Sequence, residues 1–151
     1  MRLYLDCCCY NRPFDDLSQD IVIDESNAVL SIIKRATDDD SYVIMESEIL
    51  NRELNAIKND FKKDEVLSLY ESVSAFIPLT REIEEFAEKI RNNSSIHLKD
   101  SLHLASAEIG KADIFLTTDY KLIHACKKIP LNLRVLNPVN YIAEVIENVG
   151  Y

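Results

Sequence analysis

Short apolar runs alternate along this chain with longer segments whose apolar residues recur at helical spacing. The runs are typical of buried strands, and the segments are typical of amphipathic helices. Predicted strands cover residues 2–6, 41–45, 75–79, 113–119 and 133–138, and predicted helices cover residues 18–36, 46–73, 80–93, 99–110, 120–128 and 139–147. Because strands alternate with helices, we predict a three-layer α/β/α fold of the α/β class, with a central parallel sheet of four to five strands.

Several helix boundaries carry recognisable signals. Ser47 and Thr80 stand where N-cap residues are expected, and Gly110 follows the last apolar residue of its helix, as is typical of a helix end. The first long helix has acids early and bases late, which suits the helix dipole. Its predicted buried face consists of Ile21, Ala28, Val29, Ile32, Ile33 and Ala36.

Composition narrows the class of protein. At 151 residues and without internal repeats, the chain is expected to form a single domain over residues 1–151. No run approaches the ~20 apolar residues of a membrane span, and the N-terminal run is too short for a signal peptide. We therefore expect the protein to be cytoplasmic and not embedded in a membrane. The net charge of −9 argues against a large nonspecific nucleic-acid surface, but it is compatible with a small site that binds a divalent cation.

Four cysteines, of which Cys7, Cys8 and Cys9 are consecutive, raise the question of a zinc or redox site. We expect the segment to be extended, so that its side chains point alternately to opposite sides and cannot all bind one ion. We therefore expect reduced cysteines that pack as small side chains.

The candidate chemistry lies in four carboxylates. Asp6 and Asp119 end predicted strands, Asp100 lies in the first turn of a helix, and Glu53 lies in the helix after the second strand. In an open parallel α/β sheet, ligands bind outside the carboxyl ends of the strands, so these acids can converge there. Carboxylates held together favour a shared hard cation such as Mg²⁺ or Mn²⁺.

Two threonines and a second glutamate are further candidates for the predicted metal site. Thr117 and Thr118 precede Asp119 and are suited to orient a carboxylate or a water molecule. Glu46, at the end of the second predicted strand, is the alternative to Glu53, which we favour because it shares a helix face with apolar residues.

We expect several other polar residues to have structural roles. His103 lies one turn after Asp100 and is expected to be a core residue or to support a carboxylate. We expect His97 and His124 at the surface and Asp113 in a turn at the opposite edge of the sheet. Asp15 and Asp16 are likewise expected to be turn or cap residues.

A basic residue stands near each candidate acid in the sequence. These residues are Arg12, Arg52, Lys99 and Lys121. Together they predict a local rim that binds phosphate on an otherwise acidic protein.

The motifs "YLDCCCYNRPFDD", "SEILNREL" and "DSLHLASAEIGKADIFLTTDYKL", together with the length, resemble those of PIN domains. This family comprises metal-dependent ribonucleases and includes the VapC-like toxins of type II toxin–antitoxin pairs. The resemblance extends from Arg2 to about Ile123. Its third block is the most specific, with an acid, a helix that contains alanine, a Gly-x-Ala-Asp turn and "FLTTD".

The resemblance implies a role for each acid and for Thr117. The four family acids fall on Asp6, Glu53, Asp100 and Asp119, which would bind Mg²⁺ or Mn²⁺, and Thr117 completes the Thr-x-Asp pattern. The implied reaction is hydrolysis of an RNA phosphodiester by a metal-activated water. The implied partners are a small antitoxin protein and a second copy of the chain in a homodimer.

One position departs from the family pattern. Family members usually carry Ser, Thr or Asn directly after the first aspartate, whereas this chain has Cys7. A thiol is a weak hydrogen-bond donor, and Asn11 is a candidate to replace the missing group. The alternative function is therefore a catalytically weakened PIN-like module that binds RNA or protein.

Overall fold

A five-stranded parallel sheet forms the centre of the computed structural model, which describes residues 1–71 and 75–146. The strands are β1 (Arg2–Leu5), β2 (Val43–Ser47), β3 (Ala75–Ile77), β4 (Ile114–Leu116) and β5 (Arg134–Leu136). Their order across the sheet is β3-β2-β1-β4-β5, and every neighbouring pair is parallel. The predicted parallel sheet and three-layer α/β/α class are confirmed.

Helices connect the strands. They are α1 (Cys7–Asn11), which a 3₁₀ turn (Arg12–Phe14) follows, α2 (Asp20–Asp38), α3 (Glu48–Asn55), α4 (Asp60–Tyr70), α5 (Arg81–Asn92), α6 (Leu98–Ile109), α7 (Tyr120–Cys126) and α8 (Pro138–Tyr141), which continues as a π-helical turn (Ile142–Ile146). Within the described ranges, no helix is both long enough and apolar enough to cross a membrane.

The strand order creates a reversal point between β1 and β4. From β1 the chain adds β2 and then β3 on one side, and it returns past them to add β4 and β5 on the other side. Right-handed crossovers then place the helices of the two halves on opposite faces of the sheet. The carboxyl ends of β1 and β4 lie side by side at this point, where open α/β sheets form their binding crevice.

The two central strands carry the core. Leu3, Tyr4 and Leu5 of β1 are fully buried, as are Phe115 and Leu116 of β4. The Tyr4 ring stacks on that of Phe115 with 5.3 Å between centroids. A strand buried on both faces reads as a continuous apolar run, which is why the sequence pattern located these strands.

The structure corrects two predicted elements and one predicted face. Residues 7–11 are helical and not extended, because the Asp6 side chain caps this turn by accepting a hydrogen bond from the Cys7 amide. The helix predicted over residues 46–73 is two helices, since Asn59 caps a new one by accepting from the Lys62 amide at 3.0 Å. On α2, Ile21 is exposed while its neighbour Val22 is buried.

The remaining predicted boundaries agree to within about three residues, and the second strand is shifted from residues 41–45 to Val43–Ser47. Ser47 and Thr80 cap α3 and α5 as predicted, accepting from the Leu50 amide at 3.0 Å and the Ile83 amide at 3.2 Å. The ends of two predicted helices, at residues 72–73 and 147, lie outside the described residues.

Gly110 ends α6 as predicted, and its position leaves no room for a side chain. A Cβ atom there would lie 2.5 Å from Ile77 Cδ1 and 2.8 Å from the Ser106 carbonyl oxygen. The φ of Gly110 is −71°, which any residue adopts, so close packing of the helix end on β3 requires glycine here.

We expect Gly110→Ala to destabilise the fold by about 1–3 kcal/mol, the usual cost of overpacking a core. Urea unfolding measures this free energy. In a double-mutant cycle, Ile77→Val removes the Cδ1 atom and should make the pair of substitutions less costly than the sum of the single ones. Strict additivity would show that Ile77 does not limit the space at Gly110.

Candidate functional site

Asp6 lies at the carboxyl end of β1 and is 6% exposed. Its Oδ1 atom accepts from the Cys7 amide at 2.8 Å, and its Oδ2 atom accepts from Thr117 Oγ1 at 3.0 Å. The Cys8 thiol also faces Oδ2, at 3.6 Å. Burial and the negative charge of Glu53 raise the pKa of Asp6, although His103 and the hydrogen bonds oppose the shift.

Thr117 joins Asp6 to Asp119. The Thr117 hydroxyl donates to Asp6 and accepts from the Asp119 amide at 3.1 Å. Asp119 caps α7 by accepting from the Leu122 amide at 3.1 Å. A single hydroxyl thus links the residue after β1 to the loop after β4.

Glu53 is held by a chain of buried polar groups. Its Oε2 atom lies 2.6 Å from His103 Nε2, and His103 Nδ1 lies 2.7 Å from the Tyr4 hydroxyl. The Tyr4 hydroxyl is in turn 2.6 Å from Ser47 Oγ. Burial would raise the pKa of Glu53, but the hydrogen bond and charge of His103 outweigh it and lower that pKa. His103 is therefore buried and supports a carboxylate, as expected from the sequence.

Asp100 projects from the first turn of α6 into the same region. Burial raises its pKa, and the negative charges of Asp6, Asp119 and Glu53 raise it further, while His103 lowers it. With Asp119, Asp100 lines a cavity of about 200 Å³. The structure thus brings the four predicted acids into one electrostatically coupled group.

The four acids influence one another's charge, but they do not form a ready-made set of metal ligands. Among residues 1–71 and 75–146, no three His, Cys, Asp or Glu side chains stand close enough together to hold a metal ion. The donor chemistry, four carboxylates of which two have raised pKa values, nevertheless suits a hard divalent cation.

Neither a family model nor a curated protein matches the sequence. The structure is similar to a chain in the crystal structure of VapBC2 from Rickettsia felis bound to a DNA fragment from their promoter. The TM-score is 0.64 and the identity 16%, over 91% of this chain and 98% of that one. VapC-like proteins are the PIN-domain class that the sequence motifs resemble. The fold is PIN-like.

Within this fold, Glu53 and Glu46, the two candidates for the fourth acid, have different surroundings. Glu53 lies among the other acids, whereas the charge of Glu46 acts on Tyr70 and Tyr10, whose pKa values are raised chiefly by burial. This placement favours Glu53 over Glu46 as the fourth member of the acidic group.

The cysteines lie beside this acidic group without forming a metal site. Cys7, Cys8, Cys9 and Cys126 are all free. Burial, followed by the charge of Glu53 and a hydrogen bond to it, raises the pKa of Cys7, so this thiol stays neutral. Asn11 does not replace the family hydroxyl at Asp6, because its amide donates to the Cys7 carbonyl at 2.9 Å and to Cys7 Sγ at 3.3 Å.

The predicted basic rim is only partly available. Arg12 binds Glu25 and Asp15, and Arg52 binds Glu48, so both guanidinium groups already have carboxylate partners. Lys99 and Lys121 are exposed. His97 and His124 are exposed as predicted.

Two predicted turn residues also stand as expected. Asp113 accepts from the Arg2 amide at 2.7 Å, at the amino-terminal edge of the sheet. Asp16 accepts from the Ser18 amide at 3.0 Å in a surface turn.

Sequence reasoning missed Glu25, which is fully buried on α2. It accepts from Arg12 Nε at 3.0 Å and from Asn137 Nδ2 at 2.6 Å. Its spacing from Val29, one turn along the predicted apolar face, was the available signal. Asn137 follows β5, so this buried network also lies at the carboxyl edge of the sheet.

We expect Asp6→Asn to raise Tm by about 2–4 °C, the shift that about 1 kcal/mol produces in a chain of this length. The substitution removes a charge whose burial is unfavourable, and asparagine remains a good cap. Because folding raises the pKa of Asp6, the penalty acts when the group is ionised. The Tm difference should therefore narrow as pH falls through that raised pKa.

Differential scanning calorimetry from neutral to acid pH measures this difference. Asp16→Asn is the matched control, since it removes the same charge from an exposed turn residue and should leave Tm nearly unchanged. An Asp6→Asn variant that melts below the parent at neutral pH would contradict the assignment of a destabilising buried charge.

Proposed function

We propose that this protein is a metal-dependent endoribonuclease that hydrolyses RNA phosphodiester bonds with Mg²⁺ or Mn²⁺. The observation that carries the proposal is the coupling of Asp6, Glu53, Asp100 and Asp119 at the reversal point of a PIN fold. Like charges gathered in a half-buried site raise one another's pKa values unless a positively charged partner compensates them. A divalent cation supplies that partner and the chemistry that phosphodiester hydrolysis needs.

Asp6, Glu53, Asp100 and Asp119 would hold the metal. When bound, such an ion polarises the phosphoryl group and lowers the pKa of a coordinated water. The raised pKa values of Asp6 and Asp100 mean that a nearby positive charge favours ionisation of both. Metal and protons should therefore compete for these two groups.

The surrounding residues orient the acids. Thr117 holds Asp6 through its hydroxyl and receives the Asp119 amide. His103, itself fixed by Tyr4, holds Glu53. Hydrogen-bonded neighbours of this kind fix the direction of a ligand oxygen and reduce the entropy lost when a metal binds.

We further propose that the chain is the toxin of a type II toxin–antitoxin pair, with a small antitoxin as partner, and that it acts in the cytoplasm. The support is the similarity in fold to the VapBC2 structure over nearly the whole of both chains. A homodimer is the expected assembly, since two-fold dimers are the commonest oligomers.

We expect Asp6→Asn, Asp100→Asn and Asp119→Asn each to reduce Mn²⁺-dependent cleavage of RNA by at least about 100-fold, because each removes a charged metal ligand. Cleavage of a labelled RNA on a denaturing gel measures this loss, and circular dichroism verifies the fold. The control is Asp113→Asn, which removes the same charge at the opposite edge of the sheet and should keep full activity.

Full activity of Asp119→Asn would contradict the site assignment. If the parent cleaves none of the RNAs tested with Mn²⁺, and Asp6→Asn changes only partner binding, the protein is the catalytically weakened module instead.

We expect Mn²⁺ to stabilise the parent protein by about 2.7 kcal/mol at a concentration 100-fold above Kd. A thermal-shift titration measures this effect, and EDTA should reverse it. The combined substitution of Asp6 and Asp100 by asparagine should abolish it, whereas Asp113→Asn should not. Equal stabilisation of all three proteins would place the bound metal elsewhere.

A further inference from the structure

A groove runs from the acidic group along one side of α7. The cavity that Asp100 and Asp119 line shares Ser95, Lys121 and Ala125 with an open groove of about 680 Å³. We call this open part the α7 groove. It is lined further by Asn93, Ser94, Tyr120, His124 and Lys128. The two spaces therefore adjoin along these three residues, and Asp100 and Asp119 lie on the side of the cavity.

The charge of the α7 groove is opposite to that of the protein as a whole. The chain has a net charge of −9, yet the residues that line this groove include Lys121, Lys128 and His124 and no carboxylate. In the described part of the chain, neither lysine makes an ion pair, unlike Arg12 and Arg52. Both ammonium groups are thus available to a phosphate.

These three basic residues form a row. Lys121 and His124 are three residues apart on α7 and so share a face of the helix. Lys128 follows four residues later, in the turn that ends the helix. A row of basic side chains beside Asp100 and Asp119 suits a chain of phosphates that passes these acids at one point.

Tyr120 supplies an aromatic surface in the same groove. Its side chain is 55% exposed, although its hydroxyl accepts from Asn137 Nδ2 at 3.3 Å. Asn137 is in turn fixed by the buried Glu25 at 2.6 Å. The buried network around Glu25 therefore tethers one end of a ring whose body remains accessible.

We propose that the α7 groove binds single-stranded RNA next to the acidic group, with Lys121 and Lys128 on phosphates and the Tyr120 ring stacked on a base. The inference rests on the proposed nuclease function and names the path that its substrate follows. Cations that track the backbone, combined with an aromatic stacking surface, are the means by which proteins bind single strands. The RNA specificity of the chain would then depend partly on the base that stacks on Tyr120.

The test measures binding of a fluorescein-labelled 12-nucleotide single-stranded RNA by anisotropy, with Asp6→Asn as the background so that cleavage does not interfere. We expect Lys121→Gln with Lys128→Gln to flatten the slope of log K against log salt by about 1.4, or about 0.7 for each lost phosphate contact. The control, Lys34→Gln with Lys111→Gln, removes the same charge from two exposed lysines that line neither the cavity nor the α7 groove, and it should leave the slope unchanged.

Tyr120 is tested separately. We expect Tyr120→Ala to weaken binding by about 5- to 150-fold, as for the loss of one stacked base, and to leave the salt slope unchanged. Tyr120→Phe keeps the ring and should bind nearly as the parent does. In the cleavage-competent protein, the paired lysine substitutions should raise KM and leave kcat nearly unchanged.

The outcomes separate this inference from the proposed function. If the parent cleaves RNA but the lysine and Tyr120 variants bind and cleave as well as it does, the groove assignment is wrong and the nuclease stands. If the groove variants lose RNA binding but the parent never cleaves, the groove stands and the nuclease falls. If the variants keep RNA binding and lose a co-expressed partner protein, the groove is a protein interface and the inference is overturned.

Discussion

The parallel pairing of β1 with β4 is the constraint on which the candidate site depends. These strands are 111 residues apart at the Leu3–Ile114 pair. They become neighbours because the chain, after adding β2 and β3 on one side of β1, adds β4 on the other side. The pairing continues past the strand ends, where the Asp6 amide donates to the Leu116 carbonyl at 2.9 Å. That bond sets Asp6 beside Thr117, and Thr117 then positions Asp119.

Two buried carboxylates in this protein show how surroundings decide a role. Glu25 has no exposed surface, and Arg12 and Asn137 bind its oxygens, so its charge is compensated within the fold. Asp6 is nearly as buried, but its hydrogen-bond partners are a hydroxyl, an amide and a thiol, none of which carries a positive charge. Arg12 thus balances the charge of Glu25 directly, whereas the groups that bind Asp6 are neutral and burial keeps the pKa of Asp6 raised, which makes Asp6 the candidate for a functional role.

The elements that were predicted correctly are those that depend on interactions between residues close together in the sequence. Strands buried on both faces, such as β1 and β4, can be recognised in the sequence as apolar runs. Helix caps such as Ser47 and Thr80 can also be recognised, because they bind backbone amides within one turn of the helix. The errors arose where one side chain acts on the backbone next to it. Asp6 begins a helix at the cysteines, and Asn59 begins a new helix in the middle of a predicted one.

By itself, the sequence determined the class of fold and the order of its elements, and it singled out the four candidate acids and Thr117, because periodicity, caps and motif spacing are properties of neighbouring residues. The tertiary structure decided which of these residues share surroundings. It separated Glu53 from Glu46, paired Arg12 with the unforeseen Glu25, and laid Tyr120, Lys121 and Lys128 along one groove. Such contacts depend on strand order and helix packing, which join residues far apart in the chain.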